Sequence, residues 1–383
     1  MPTSTRSLTF QAARAALTVA ALGCATWLAA ADTQPATLHV HVTEKGTGRP
    51  VPCRLTLLDG RGRAAEVTPE KARWLAYRPG VLYTGTGEAT FTAPQGRYTL
   101  YVNRGLEYGV VTRDIHLGAG ERTVDLQLVR EVDTTGYVSC DTHIHTLTFS
   151  GHGDATIQER MATIAGEGIE LAIATDHNHH TDYAPAARET GTSRQFTPVI
   201  GNEVTTRVGH FNAFPVRPGS APPDPRLTDW NLLLPAIRAV PGVRVVTLNH
   251  PSDLHEGFIP ADPRRFHPAS GESLDHSPWS FDGIEVVTSS ALHSDYLKPY
   301  RDWFALLNRG ARMVGLGSSD SHDVSRYILG QGRTYIASSA AEPEQIDIQE
   351  ACDSLLAGRA LVSMGLFTEA WVDGQPVGSW VTG

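Results

Sequence analysis

The stretch Asp141-Thr142-His143-Ile144-His145-Thr146, DTHIHT, closes an apolar run that begins at Gly136 (GYVSCDTHIH). In an extended strand, residues i and i+2 point to one face, so His143 and His145 can reach a single ion. The same spacing recurs at Asp320 and His322, which end GLGSSDSH. Between these two, other short apolar runs also finish on ligand-type residues: LAIATDHN at His177, VIGNE at Glu203 and VRVVTLNHP at His250. Thirteen of the sixteen histidines fall in this half of the chain. One histidine at a strand end is readily a hydrogen-bonded polar residue. Five strand ends carrying His, Asp or Glu are not so explained, because buried ionisable groups are costly unless paired or metal-bound. Imidazoles with carboxylates suit Zn²⁺, Mn²⁺ or Fe, and the carboxyl edge of a parallel sheet is where such sites assemble.

Working outward, strands alternate with helices. A helix is expected from about Thr156 to Glu167, with Thr156 and Glu159 as a capping box and Gly168 as its stop. Further helices are expected near 230–240, near 296–309 with Tyr300, Trp303, Phe304 and Leu307 on the buried side, and from Pro343 to about Gly358. Repeated βα units point to a parallel sheet or barrel. Beyond Met364, GLFTEAWVDGQPVGSWVTG reads as the start of a C-terminal β segment (366–383) without a closing element, the pattern expected of a chain that continues.

Before Gly136 the grammar is β. TLHVHVTE alternates with period two, CRLTLLD, ATFTAP, RYTLYVN and RTVDLQLV follow, and glycines punctuate the intervals. A small sandwich over 35–132 is expected, with His39, His41 and His116 on its surface. Ahead of it, Arg6 and Arg14 precede an alanine-rich run from Ala15 to Ala31, the pattern of a signal peptide over 1–31. A periplasmic or secreted protein with no stable membrane span in its mature chain is expected. Cleavage would take the net charge from −9 to −11. No basic block accompanies that charge, which argues against nucleic acid or an acidic membrane surface as the main partner; a small-molecule substrate is expected. Cys53, Cys140 and Cys352 make no disulfide framework, permit at most one bridge, and offer no Cys-x-x-Cys metal site.

The ordered set DTHIHT, ATDHN, GNE, NHP and GSSDSH resembles the motifs of the PHP (polymerase and histidinol phosphatase) metallohydrolases. SGHGDATIQERMATIAGEGIELAIATDHN and VGHFNAF look most like the CehA/McbA branch, which includes carbaryl hydrolases. TGRPVPCRLTLLDGRG resembles the opening of carboxypeptidase regulatory-like sandwiches. The resemblance implies an α/β fold, a distorted (β/α)7 PHP barrel over 136–365 preceded by the all-β sandwich, with two or three divalent ions. It implies that His143, His145, Glu203 and Asp320 bind a first ion, and that Glu203 bridges to a second held by His210 and His250. His152, His177 and His322 would hold a third. His152 stands one residue later after His145 than the histidine usual in the family. Asp141 and Asp176 would orient ligand imidazoles.

A metal-bridging hydroxide would then attack a phosphoester, with His177 or His322 passing a proton to the leaving group. Arg333, in GQGRTYI, is the expected oxyanion contact, whereas Arg207 and Arg326 read as solvated loop charge. Phe258, Phe266 and Trp279 could wall an apolar pocket. His255, His267 and His276 show no ligand spacing, and His179 and His180 read as rim residues. Two other readings stay open: hydrolysis of a carbamate, carboxyl ester or amide, and a non-catalytic surface-binding protein whose sandwich holds a partner. No Gly-x-Ser-x-Gly elbow supports serine catalysis. Oligomeric state has no signature in the sequence.

Overall fold

The computed structural model describes residues 34–70, 74–288 and 295–381. The signal-peptide pattern over 1–31 lies outside the described residues. The first strands are β1 (Ala36–Glu44), β2 (Cys53–Asp59), β3 (Thr68–Pro69), β4 (Leu75–Arg78), β5 (Val81–Thr84), β6 (Glu88–Ala93), β7 (Gly96–Asn103), β8 (Val111–Leu117) and β9 (Glu121–Leu128). They form two sheets, β3-β6-β1-β9 and β4-β5-β2-β7-β8. Alternation decides which face is inside: Leu38, Val40 and Val42 of β1 and Leu100 and Val102 of β7 are buried together, while His41 points to solvent.

The remainder begins with β10 (Tyr137–Ile144), α1 (Leu147–Ser150), α2 (Ile157–Gly166), β11 (Leu171–Ala174), α3 (Ala184–Glu189), β12 (Thr197–Ile200), β13 (Asn202–Thr206) and β14 (Gly209–Phe214). It continues through α4 (Trp230–Arg238), β15 (Val245–Leu248), β16 (Phe266–His267), β17 (Glu272–Ser273), β18 (Gly283–Val287), α5 (Lys298–Asn308), β19 (Val314–Gly317), β20 (Arg333–Ala337), α6 (Ile348–Leu356) and β21 (Ala360–Ser363). Two short strands, β22 (Trp371–Val372) and β23 (Gln375–Pro376), pair near the end.

The class is α/β, but a closed (β/α)7 alternation is not evident among the described residues. The strands lie in two five-stranded sheets, β12-β11-β10-β20-β21 and β13-β14-β15-β18-β19. Antiparallel pairs β10–β20, β13–β14, β14–β15 and β20–β21 interrupt the parallel pattern. FTPVIGNEVTT, which reads as one strand, divides at Gly201 into β12 of one sheet and β13 of the other. Isolated parallel bridges, Ile144 to Ser321 and His177 to Glu203, join the sheets where the ligand-type residues lie.

Local signals held where they were chemical. Thr156 caps α2, and the reciprocal Thr156–Glu159 box is formed. Helix α5 packs Tyr300 and Trp303 against the core as expected and buries Pro299, Asp302, Ala305 and Leu306, but leaves Phe304 and Leu307 exposed. Lys298, paired within the helix to Asp302 at 2.5 Å, ties this face down by donating to Ser252 Oγ and Ala261 O at 3.2 Å, a polar anchor that an apolar-stripe reading overlooks. Cys53, Cys140 and Cys352 are buried free thiols. No described helix is long and apolar enough to cross a membrane.

The sandwich packs directly on the elements that carry the site. From β4, Arg78 pairs with Glu159 of α2 at 2.7 Å and with Asp154 at 2.9 Å, and Asp154 Oδ1 accepts from the Val324 amide at 2.7 Å. Tyr83 of β5 donates to Glu167 Oε1 at 2.7 Å, which Arg54 approaches to 3.1 Å. Tyr83→Phe strands part of that buried carboxylate. It should lower stability by about 1.5–3 kcal/mol, read from the midpoint of urea unfolding with an unchanged slope.

Candidate metal centre

Strand ends bring the expected residues to one place. His143, His145, Glu203, His250 and His210 are buried, while His177, Asp320 and His322 are partly open. Glu203 sits at the centre. Its carboxylate oxygens lie 3.1 Å from His143 Nε2, 2.5 Å from His177 Nδ1, 3.2 Å from His210 Nδ1 and 3.4 Å from His250 Nε2. Asp320 Oδ1 lies 3.3 Å from His143 Nε2 and 3.2 Å from His145 Nε2. His250 and Asp320 take positive φ, +26° and +50°, a strained backbone of the kind found at functional turns.

Donor and acceptor capacities fix the imidazole tautomers. Glu285 can only accept, so His143 donates from Nδ1 at 2.7 Å, and in the neutral ring Nε2 is the atom left to take a cation. The Ser150 hydroxyl gives its proton to Asp176 Oδ1 at 2.7 Å, so it must accept from His145 Nδ1 at 3.1 Å. His145 Nε2 is therefore a bare lone pair. The Asp320 carbonyl accepts from His322 Nδ1 at 3.1 Å, and Glu203 accepts from His177 Nδ1. The Nε2 atoms of His177 and His322 then face one another at 3.3 Å, and with both rings neutral that is lone pair to lone pair. Such contacts between acceptors are repulsive unless a cation or proton stands among them.

The orphaned atoms repeat the point. His143 Nε2, His145 Nε2 and His250 Nδ1 are buried without a hydrogen-bond partner. Four groups of ligand atoms each lie within 4.8 Å of one another: His143/His145/Asp320, His143/Glu203/His250, His145/His177/His322 and His210/His250/His255. The donor set, imidazole nitrogens with carboxylate oxygens, fits divalent cations of the Zn²⁺, Mn²⁺ or Fe type.

The electrostatics agree. Burial alone would lower His143, but the carboxylates of Asp320, Glu285 and Glu203 outweigh it and hold the imidazole well above its ordinary range. Burial would raise Glu203, yet His210, His143 and His177 keep it well below. Burial, then His322 and His177, push His145 far down. Burial and the neighbouring His152 and His177 bring His322 to about 3. Burial would also lower His177 and His250, but Glu203 outweighs it and holds both above their ordinary range. The carboxylates are thus ionised, His145 and His322 are neutral, and His143, His177 and His250 hold protons that a bound cation would displace.

Some expected residues fall elsewhere. His152 stands at the rim, its ring 4.3 Å from His322 and 4.9 Å from His177, and it is in none of the four ligand groups. Arg333 is fully buried, donating from Nε to Gly330 O at 2.8 Å and from Nη2 to Glu167 O at 3.1 Å. It lines a cavity that contains no histidine, so it is not an oxyanion contact of this centre. Arg326 lies nearer: a 340 Å³ cavity beside the centre is lined by His152, Gly153, Asp320, His322, Asp323, Arg326 and Tyr327. Phe258, Phe266 and Trp279 pack with Trp230 and Phe281 as core, and line no part of that cavity.

Asp141 holds the turns rather than an imidazole, accepting from the His143 and Ser319 amides at 3.1 Å and from Gly330 at 2.9 Å. Asp176 acts on His145 through Ser150. Four contributors were not read as site residues from the sequence, although Asn249 stands in NHP and Arg160 in SGHGDATIQERMATIAGEGIELAIATDHN. Glu285 of GIEVV binds His143 Nδ1, the Ser318 hydroxyl and the His250 amide at 2.6–2.7 Å. An acid inside a fully buried strand is itself the signal. Asn249 donates to Glu203 Oε1 at 2.9 Å. Arg160, fully buried on α2, clamps His145 O at 2.8 Å and Ser321 O at 3.0 Å. The His255 ring lies 4.1 Å from that of His250, tilted at 37°, and burial with His250 and His210 takes its imidazole to about 3.

No family model and no curated protein matches this chain. Among solved structures it is similar to a two-domain protein from Bacteroides vulgatus containing a predicted PHP-like metal-dependent phosphoesterase. The identity is 18%, the TM-score 0.40, and the match covers 61% of this chain and 66% of that one. A smaller likeness, 15% identical with a TM-score of 0.13, links 26% of this chain to 28% of a pilus-presented adhesin.

Proposed function

We propose that this chain is an exported metal-dependent hydrolase of the PHP superfamily, CehA/McbA-like, acting on a small phosphoester, with residues 35–132 as an accessory sandwich. The observation that carries the reading is the convergence of the imidazole Nε2 atoms of His143, His145, His177 and His322 on one another and on the carboxylates of Glu203 and Asp320. His143, His145, Glu203, His210, His250, Asp320, His177 and His322 would hold two or three cations. Divalent cations bound there supply Lewis acidity, making water acidic enough to ionise near neutral pH and drawing off charge that builds on the phosphoryl group.

The chain's own groups supply the rest. Arg326, exposed beside the cavity with its guanidinium 4.7 Å over the Tyr327 ring, offers the cation for a substrate oxyanion. His152 donates from Nδ1 to Ser150 O at 3.3 Å, which leaves Nε2 to take or return a proton at the leaving oxygen. His177 and His322 are committed through Nε2 to the centre and position it. Asn249 and Thr205, bonded to Glu203 at 2.9 and 3.0 Å, keep that carboxylate from turning.

The protein purified without chelator should hydrolyse p-nitrophenyl phosphate or bis-p-nitrophenyl phosphate, and Arg326→Ala should raise KM about tenfold or more, the scale of one charge-assisted contact. Turnover of 1-naphthyl N-methylcarbamate alone would replace phosphoester hydrolysis by the carbamate reading. Turnover of none, with no metal retained, would leave a binding protein.

A further inference from the structure

A second cavity, about 760 Å³, lies where sandwich loops meet the segment after α2, and no histidine lines it. Its wall includes Arg104, Glu107, Arg130, Glu170, Arg194 and Arg333. Three polar atoms on that wall are buried and unpartnered: Arg104 Nε, Glu107 Oε1 and Arg333 Nη1. Glu107 and Arg333 are 6% and 0% exposed. Most of their other polar atoms are spoken for. Arg130 takes Glu107 Oε2 at 2.6 Å, the buried Tyr335 hydroxyl bonds with Glu107 and Arg333, carbonyls of Gly330 and Glu167 take Arg333 Nε and Nη2, and Gln195 takes Arg104 Nη2 at 3.4 Å. Arg104, Arg194 and Arg333 form no ion pair among the described residues. Buried charged donors without acceptors are rare enough to need a cause.

The backbone runs close beside both guanidiniums: a Cβ at Gly105 (φ +50°) would fall 2.1 Å from Glu167 O and 3.2 Å from Arg333 Nη2, and one at Gly168 (φ +65°) 3.4 Å from Arg104 Nε. We propose that this cavity binds a small oxyanion that carries its own hydrogen-bond donor, an α-amino or α-hydroxy acid, with the oxyanion on Arg104 Nε and Arg333 Nη1 and the donor on Glu107 Oε1. The pairing satisfies all three stranded atoms at once, which a simple anion cannot, because Glu107 Oε1 accepts only. The site is separate from the metal centre and does not rest on its activity. It is nevertheless near in bonds: Arg333 holds Gly330 O, Gly330 N donates to Asp141 Oδ2, and Asp141 Oδ1 accepts from the His143 amide.

Calorimetric titration of the full chain, metals present, with L-serine, D-glycerate and acetate tests this. One of the two donor-bearing acids should bind saturably at one equivalent, with Kd below about 1 mM, and acetate at least about tenfold more weakly. Arg104→Gln and Glu107→Gln should each weaken binding about tenfold or more, whereas His322→Ala should leave it unchanged. Two variants guard against one failing to fold, which an altered melting midpoint would report. No saturable heat from either acid, acetate equal to both, or full affinity in the folded arginine variant would overturn the assignment. Loss of binding in His322→Ala would move the ligand to the metal centre and overturn it equally.

Discussion

Glu203→Gln should lower kcat by about a thousandfold or more, a loss of roughly 4 kcal/mol in transition-state stabilisation, and should reduce the metal content of the purified protein. No other side chain touches so much of the centre: its two oxygens approach His143, His177, His210 and His250 within 3.4 Å. The amide keeps the shape and removes the charge. Stability separates this role from a structural one. With metal bound, the variant should melt lower than wild type, because cations that bind only the folded state stabilise it by mass action. After chelation the difference should shrink or reverse, since the wild type then buries a carboxylate whose countercharge has gone. Thermal midpoints with and without EDTA check this. An equal loss in both conditions, or unchanged turnover, means the carboxylate only holds the fold.

The site was legible in the sequence because strand geometry is simple. Residues i and i+2 share a face, so His143/His145 and Asp320/His322 announce themselves without knowledge of the fold. His177, Glu203 and His250 are legible for a related reason, each standing where an apolar run stops. What the pattern could not show is direction in space. Arg333 follows the Asp320 strand closely in sequence, yet its guanidinium is spent on the carbonyls of Gly330 and Glu167, while Arg326 lines the cavity at the centre. His255 reaches His250 across a turn, a proximity that periodicity does not encode. The sheet division has a similar cause. FTPVIGNEVTT is continuous in hydropathy, and only hydrogen bonding assigns its two halves to different sheets.

Glu285 is the most informative omission, and its loss should be the second largest. The carboxylate accepts from His143 Nδ1, from the Ser318 hydroxyl and from the His250 amide. Burial would raise its pKa, but His143 outweighs that and holds it low, so it meets those donors ionised. It thereby fixes the His143 tautomer that turns Nε2 toward Glu203 and Asp320, and anchors the strained turn at His250. Glu285→Gln removes the charge and presents an amide donor where two oxygens now accept, so one of the three donors must go unpaired. Partners of this kind typically govern 10–100-fold in metal affinity or activity, and a loss of about that size is expected here. Because Glu285 lines no cavity beside the centre, KM should stay near wild type while kcat and metal affinity fall together. Glu285→Asp should not rescue, since its carboxylate is drawn back by one methylene from donors now 2.6–2.7 Å away. Wild-type metal affinity in Glu285→Gln, measured by competition with a chelating dye, would mean that His143 is oriented by its strand alone.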